Sequence, residues 1–134
     1  MKFLHVVHGY PPNMGGTQRL FQELSQRLVQ TYGDQVTVFT TNAYSNYHFW
    51  QEDARTLPSG TEQMNGVTVR RFPVFNRFST TRLTVARILY KLRLPGHDWA
   101  RTWYNGPIVP GLTQAIARHQ ADVVTAAAFP LLHM

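Results

Sequence analysis

An apolar run, a glycine pair, an amphipathic stretch and a second apolar run follow one another with short links at the start of this chain, and this order constrains the fold most. Phe3-Leu4 and Val6-Val7 are apolar on both faces of a pleat, which predicts a doubly covered parallel strand over residues 2 to 8. Residues 17 to 32 predict a helix. Leu20, Leu24, Leu28 and Tyr32 recur every four residues with Phe21 and Val29 beside them, and Arg19, Gln22, Glu23, Gln26 and Arg27 take the other face. Gly33 suits the C-cap, and Val36-Thr37-Val38-Phe39-Thr40 forms a second strand. Strand, helix and strand joined this tightly make a βαβ unit, hence a parallel pair with a right-handed crossover.

The remaining segments extend that unit. Residues 42 to 63 lack periodicity and carry Tyr44, Tyr47, Phe49 and Trp50 among polar residues, as expected of a functional loop or of a flap that packs its aromatics on the surface. Val67 to Phe72 reads as a third strand after the Asn65-Gly66 turn, ended by Pro73. Residues 80 to 93 predict a helix with Leu83, Ala86, Leu89 and Leu92 on one side, Arg87 and Lys91 on another, and Pro95-Gly96 as its stop. An irregular stretch follows from Trp99 to Pro107. Ile108, Leu112 and Ile116 mark a helix near 108 to 119 with Pro107 or Pro110 in its first turn, and residues 122 to 128 form a fourth strand. The expected product is an α/β, Rossmann-like parallel sheet with strands near 2 to 8, 35 to 41, 67 to 72 and 122 to 128. A chain of 134 residues suits one domain, but the apolar run from Ala126 to Met134 predicts a domain cut before completion, whose uncovered faces favour self-association.

Gly15-Gly16, placed between the first strand and the first helix, is the leading candidate site. Adjacent glycines let a ligand approach the backbone, and the helix N-terminus offers unpaired N–H groups with partial positive charge, which suits a phosphate or diphosphate. A glycine pair alone also describes any tight strand-to-helix turn. Two familiar phosphate loops are excluded. Thr17 and Gln18 stand where a P-loop needs Lys, and the second strand ends Thr40-Thr41-Asn42 without the acid that a dinucleotide site uses for the ribose.

The wider pattern resembles the N-terminal domain of family 4 glycosyltransferases, retaining enzymes of the two-domain GT-B type. It comprises His8-Gly9-Tyr10-Pro11-Pro12, Gly15-Gly16, the amphipathic helix, Tyr32 to Val38, Gly66 to Pro73 and Ala121-Asp122-Val123-Val124, in that family's order. The resemblance implies that residues 1 to 134 are a partial N-terminal domain, the acceptor side of a GT-B fold, facing a second domain that binds a nucleotide sugar. It implies that Gly15 and Gly16 bind the donor diphosphate, while Tyr10, Thr17 and Gln18 serve the acceptor, a sugar, lipid-linked glycan or lipid. Fixed N–H dipoles would then stabilise charge on the leaving diphosphate. The implied co-substrate is the nucleotide sugar, with neither metal nor other cofactor. Thr125 and Ala127 occupy places where that family often has a histidine, and the donor domain with its paired glutamates would lie beyond Met134, so residues 1 to 134 are expected to be inactive alone.

Composition narrows the alternatives. There is no cysteine, which excludes thiolate chemistry and fits a reducing cytoplasm, and no apolar stretch is long enough for a membrane span. His5 and His8 should point to opposite faces of their strand, and the other histidines show no ligand spacing. No serine stands in a nucleophile elbow. Residues 63 to 97 hold Arg70, Arg71, Arg77, Arg82, Arg87, Lys91 and Arg93 without an acid, so the basicity is local. Three readings apply: solvated charge on a helix and strand edge; an anionic membrane met through Arg77, Arg82, Arg87, Lys91 and Arg93 by a peripheral protein at the inner face; or nucleic acid, disfavoured because the aromatic loop lies apart from the cations. Two functions stay open, the acceptor half of a glycosyltransferase and a non-catalytic module of the same fold that binds an anionic lipid or nucleotide.

Overall fold

The computed structural model describes residues 1–12, 15–45, 54–98 and 107–127. Tyr47, Phe49 and Trp50 of the aromatic loop, the stretch from Trp99 to residue 106 and the apolar run after Ala127 lie outside the described residues.

The elements are β1 (Lys2–Val7), α1 (Gly16–Tyr32), β2 (Gln35–Thr41), β3 (Gly60–Met64), β4 (Val67–Phe72), α2 (Ser79–Lys91), α3 (Leu112–Arg118) and β5 (Val123–Ala127). One sheet runs in the order β3-β4-β2-β1-β5. β1 is parallel to both neighbours, with Phe3 opposite Val36 in β2 and opposite Val123 in β5, and β2 is parallel to β4. The arrangement is Rossmann-like.

The expectation of four parallel strands is corrected by β3, which pairs antiparallel with β4 from Gly60↔Arg71 to Met64↔Val67. It occupies the end of the segment read as a loop. Asn65 and Gly66 both have positive φ, 53° and 82°, the backbone that a two-residue hairpin of the Asn-Gly type requires. Gly-Thr-Glu-Gln-Met offers no apolar alternation because this edge strand covers almost nothing.

Apolar side chains fill both faces of the sheet. On one side Val7, Val36, Val38, Val67 and Val69 pack with Tyr10 and with Phe21 of α1. On the other, Leu4, Val6, Phe39 and Phe72 pack with Val74, Val109 and Leu112 of α3. Val124 on β5 remains exposed. Asp122 fixes the start of β5, since its backbone N–H donates to the Lys2 carbonyl at 2.8 Å and its carboxylate accepts from the Lys2 N–H at 2.7 Å.

Two helices differ from expectation. α3 begins at Leu112, so neither Pro107 nor Pro110 lies in its first turn. Residues 107–109 are held instead as an extended segment by the Phe75 N–H donating to the Ile108 carbonyl at 2.8 Å. α1 turns Gln18, Phe21 and Ser25 inward, while Leu20 is 62% exposed and Tyr32 73%. Residues four apart advance by about 40° beyond a full turn, so a row spaced by four spirals around the helix. Leu20 and Leu24 start it on the solvent side, and only Leu28 reaches the core.

Candidate functional site at the carboxyl edge of the sheet

β1 lies between β2 and β5, and α1 and α3 cover opposite faces of the sheet. The carboxyl end of β1 is therefore the point where the winding changes direction, the place where open α/β sheets form ligand crevices. The chain leaves β1 at His8 and returns as α1 at Gly16.

Gly15 and Gly16 have different environments. Gly15, the N-cap of α1, is extended, at φ −165° and ψ 164°. A Cβ there would sit 2.2 Å from Oε1 of Gln18, so glycine makes room for the Gln18 side chain. Among the described residues, a Cβ on Gly16 would meet nothing within 4 Å. The Arg19 N–H donates to the Gly15 carbonyl at 3.0 Å, which leaves the N–H groups of Gly16, Thr17 and Gln18 without acceptors inside the helix. No side chain among the described residues caps them, and the first turn holds no acid. This end of the helix carries its partial positive charge uncompensated.

Gln18 is buried, with its amide nitrogen 3.1 Å from Nε2 of His8. An amide N–H only donates, so His8 Nε2 accepts and the ring of neutral His8 carries its proton on Nδ1. The expectation that His5 and His8 face opposite ways is corrected by this contact. His5 meets Phe21 edge-on at 5.3 Å between ring centroids and His8 meets Gln18, so both imidazoles touch α1. Strand geometry ends at Val7, and the alternation ends with it. The His5 ring nitrogens have no partner among the described residues, and burial holds the pKa below the usual histidine value.

Tyr10 is only 1% exposed and belongs to the core cluster of Val7, Phe21 and Val38. Burial raises its phenol pKa, opposed by the neighbouring Ser25 hydroxyl and the Arg71 charge. Thr17 is half-buried at the helix start.

Arg71, Glu62, His8 and Thr41 complete the framework. Arg71 is 5% exposed; one guanidinium nitrogen donates to the Pro11 carbonyl at 2.7 Å and pairs with Glu62 of β3. Arg71 thereby ties the hairpin to the cis Pro11-Pro12 segment. The Thr41 hydroxyl donates to the His8 carbonyl at 2.6 Å, which fastens the end of β2 to the same loop. Val67, Val69 and Arg71 alternate onto one face of β4, a signal that places a charge on the α1 side. His8, Thr41 and Glu62 carry no such signal, because their partners arise from loop and hairpin geometry.

Among the described residues no three histidine, cysteine or acidic side chains gather as a metal group, and no helix is long and apolar enough to cross a membrane. Comparisons with protein-family models, curated proteins and solved structures return no match for this chain.

Proposed function

We propose that this chain is the acceptor-side half of a retaining glycosyltransferase of the GT-B type, with the Gly15-Gly16 turn facing the diphosphate of a nucleotide-sugar donor. The observation that carries the reading is the uncapped start of α1 at the winding reversal, where a Cβ on Gly16 would meet none of the described residues. The sequence resemblance supplies the reaction class. Gly16 and Thr17 N–H groups would stabilise charge that builds on the departing diphosphate, as preorganised donors do. In the observed geometry the buried Gln18 amide is engaged by His8, so Thr17 is the side chain of the helix start that would meet an acceptor hydroxyl, and Gln18 would do so only on leaving His8.

The test is sugar transfer by the protein with its donor domain, comparing the parent with Gly16→Val. Since a Cβ at 16 meets no atom of the described residues, the variant should keep its fold and lose turnover on the order of 10²-fold. Normal turnover by that variant would overturn the reading.

A further inference from the structure

We propose that the outward face of α2 docks on an anionic lipid bilayer, with Val85, Ile88 and Leu92 entering the hydrocarbon boundary while Arg77, Lys91 and Arg93 meet lipid phosphates. The inference stands apart from the glycosyltransferase reading. Fully buried packing on α2 is confined, among its described side chains, to Ala86. Val85, Ile88 and Leu92 are 49%, 50% and 62% exposed, and their spacing puts them within about 60° of one another around the helix. Phe78, also exposed, extends the apolar row at the amino end, and Arg77 lies over its ring at 5.3 Å. Arg87 and Lys91 run along one flank.

The expected five-cation patch is altered at one position. Arg82 turns inward, donates to the Phe75 carbonyl at 3.3 Å and has its pKa lowered by burial. Arg77, Arg87, Lys91 and Arg93 remain exposed.

Charge complementarity selects the occupant. Residues 63 to 97 contain no acid, so a second copy would bring like-charged rows together. A nucleic acid would satisfy the cations but press its phosphates against Val85, Ile88 and Leu92. An anionic bilayer offers phosphate and hydrocarbon at adjacent depths, the combination that a basic amphipathic helix matches. The start of α2 follows β4 by a short link, which places Phe78 toward the same sheet edge as the Gly15-Gly16 turn.

The experiment is co-sedimentation of the protein with vesicles of phosphatidylcholine alone or mixed with phosphatidylglycerol. Binding should require the anionic lipid, fall about fivefold for Lys91→Ala, and weaken steeply in high salt. Ile88→Gln with Leu92→Gln should lower binding by about tenfold or more. Leu20→Gln, which changes an equally exposed leucine on α1, should leave it unchanged and serves as the folding-neutral control. Binding that is absent, that ignores the lipid charge, or that survives the Ile88/Leu92 pair while losing Lys91 dependence would overturn the proposal. Loss with Lys91→Ala but not with the Ile88/Leu92 pair identifies a polyanion site instead, and overturns it equally.

Discussion

α1 and α2 both follow a strand that ends at the carboxyl edge of the sheet, yet one is seated and the other rests on the surface. α1 inserts Phe21 between Tyr10 and the valines of β2 and β4, and places Gln18 and Ser25 against the sheet. α2 buries Ala86, half-buries Leu83 and Leu89, and leaves Val85, Ile88 and Tyr90 outward. Their outward leucines differ in company too. Leu20 stands beside the Arg19–Glu23 ion pair, whereas Leu92 stands among cations in a segment without acids. Apolar periodicity therefore reports that a helix has a preferred side, and neighbouring charge helps to tell what that side meets.

Truncation of one apolar side chain on each helix gives the largest contrast. Phe21→Ala should cost about 3–5 kcal/mol in urea unfolding, and Ile88→Ala should fall within about 0.5 kcal/mol of the parent. A comparable loss at Ile88 would show that α2 is packed after all. Arg71→Ala should follow at about 2–3 kcal/mol, because it strands the Pro11 carbonyl and releases the hairpin, while Glu62→Gln at the half-exposed end of that pair should cost under about 1 kcal/mol. Equal effects would mean that the ion pair, rather than the carbonyl contact, holds the loop.

The glycine pair sharpens the comparison at the seated helix. Gly15→Ala should destabilise by about 1–2 kcal/mol by pushing Gln18 off His8. Gly16→Ala should be neutral or stabilise by up to about 1 kcal/mol, since helical backbone tolerates alanine and the space is open. If the order is reversed, the turn is built differently from the one described.

The smallest effect is a slope against pH. His5 has its folded pKa lowered by burial, so an unfolded chain takes up a proton below about pH 6.5 that the folded one resists. Its contribution is complete above that pH and is lost as pH falls toward the folded value. His5→Phe should flatten the stability profile on the acid side relative to the parent. Parallel profiles would show that His5 titrates freely in the fold.

Much of the fold was legible because Val6-Val7, Val36-Val38 and Val67-Val69 each combine β-branched character with burial on the sheet. The strand beginning at Gly60 was not, because the polar sequence there is held by the Asn65-Gly66 turn and pairing to β4, and by no apolar face of its own. Ile108 continues the helical spacing and so predicts an early start for α3, while its backbone is claimed by Phe75. At the site, the residues themselves point to Gly15 and Gly16, whereas Thr17 and Gln18 enter only through the family resemblance. Tyr10 was named for the acceptor wall, and its burial depends on packing across α1 and β4 that no local pattern encodes.

The register of the central strand also orders the folding reaction. β1 meets β2 across 33 residues, but the Lys2–Asp122 clamp closes a loop of 120. Closing the longer loop costs roughly 1 kcal/mol more in chain entropy, and it comes on top of far slower diffusion to contact. These separations predict that the βαβ unit and the β3-β4 hairpin form first and that β5 is recruited last. During that interval β1 would be paired on its β2 edge only, so the speed of β5 arrival would set how long its other edge is presented to other chains.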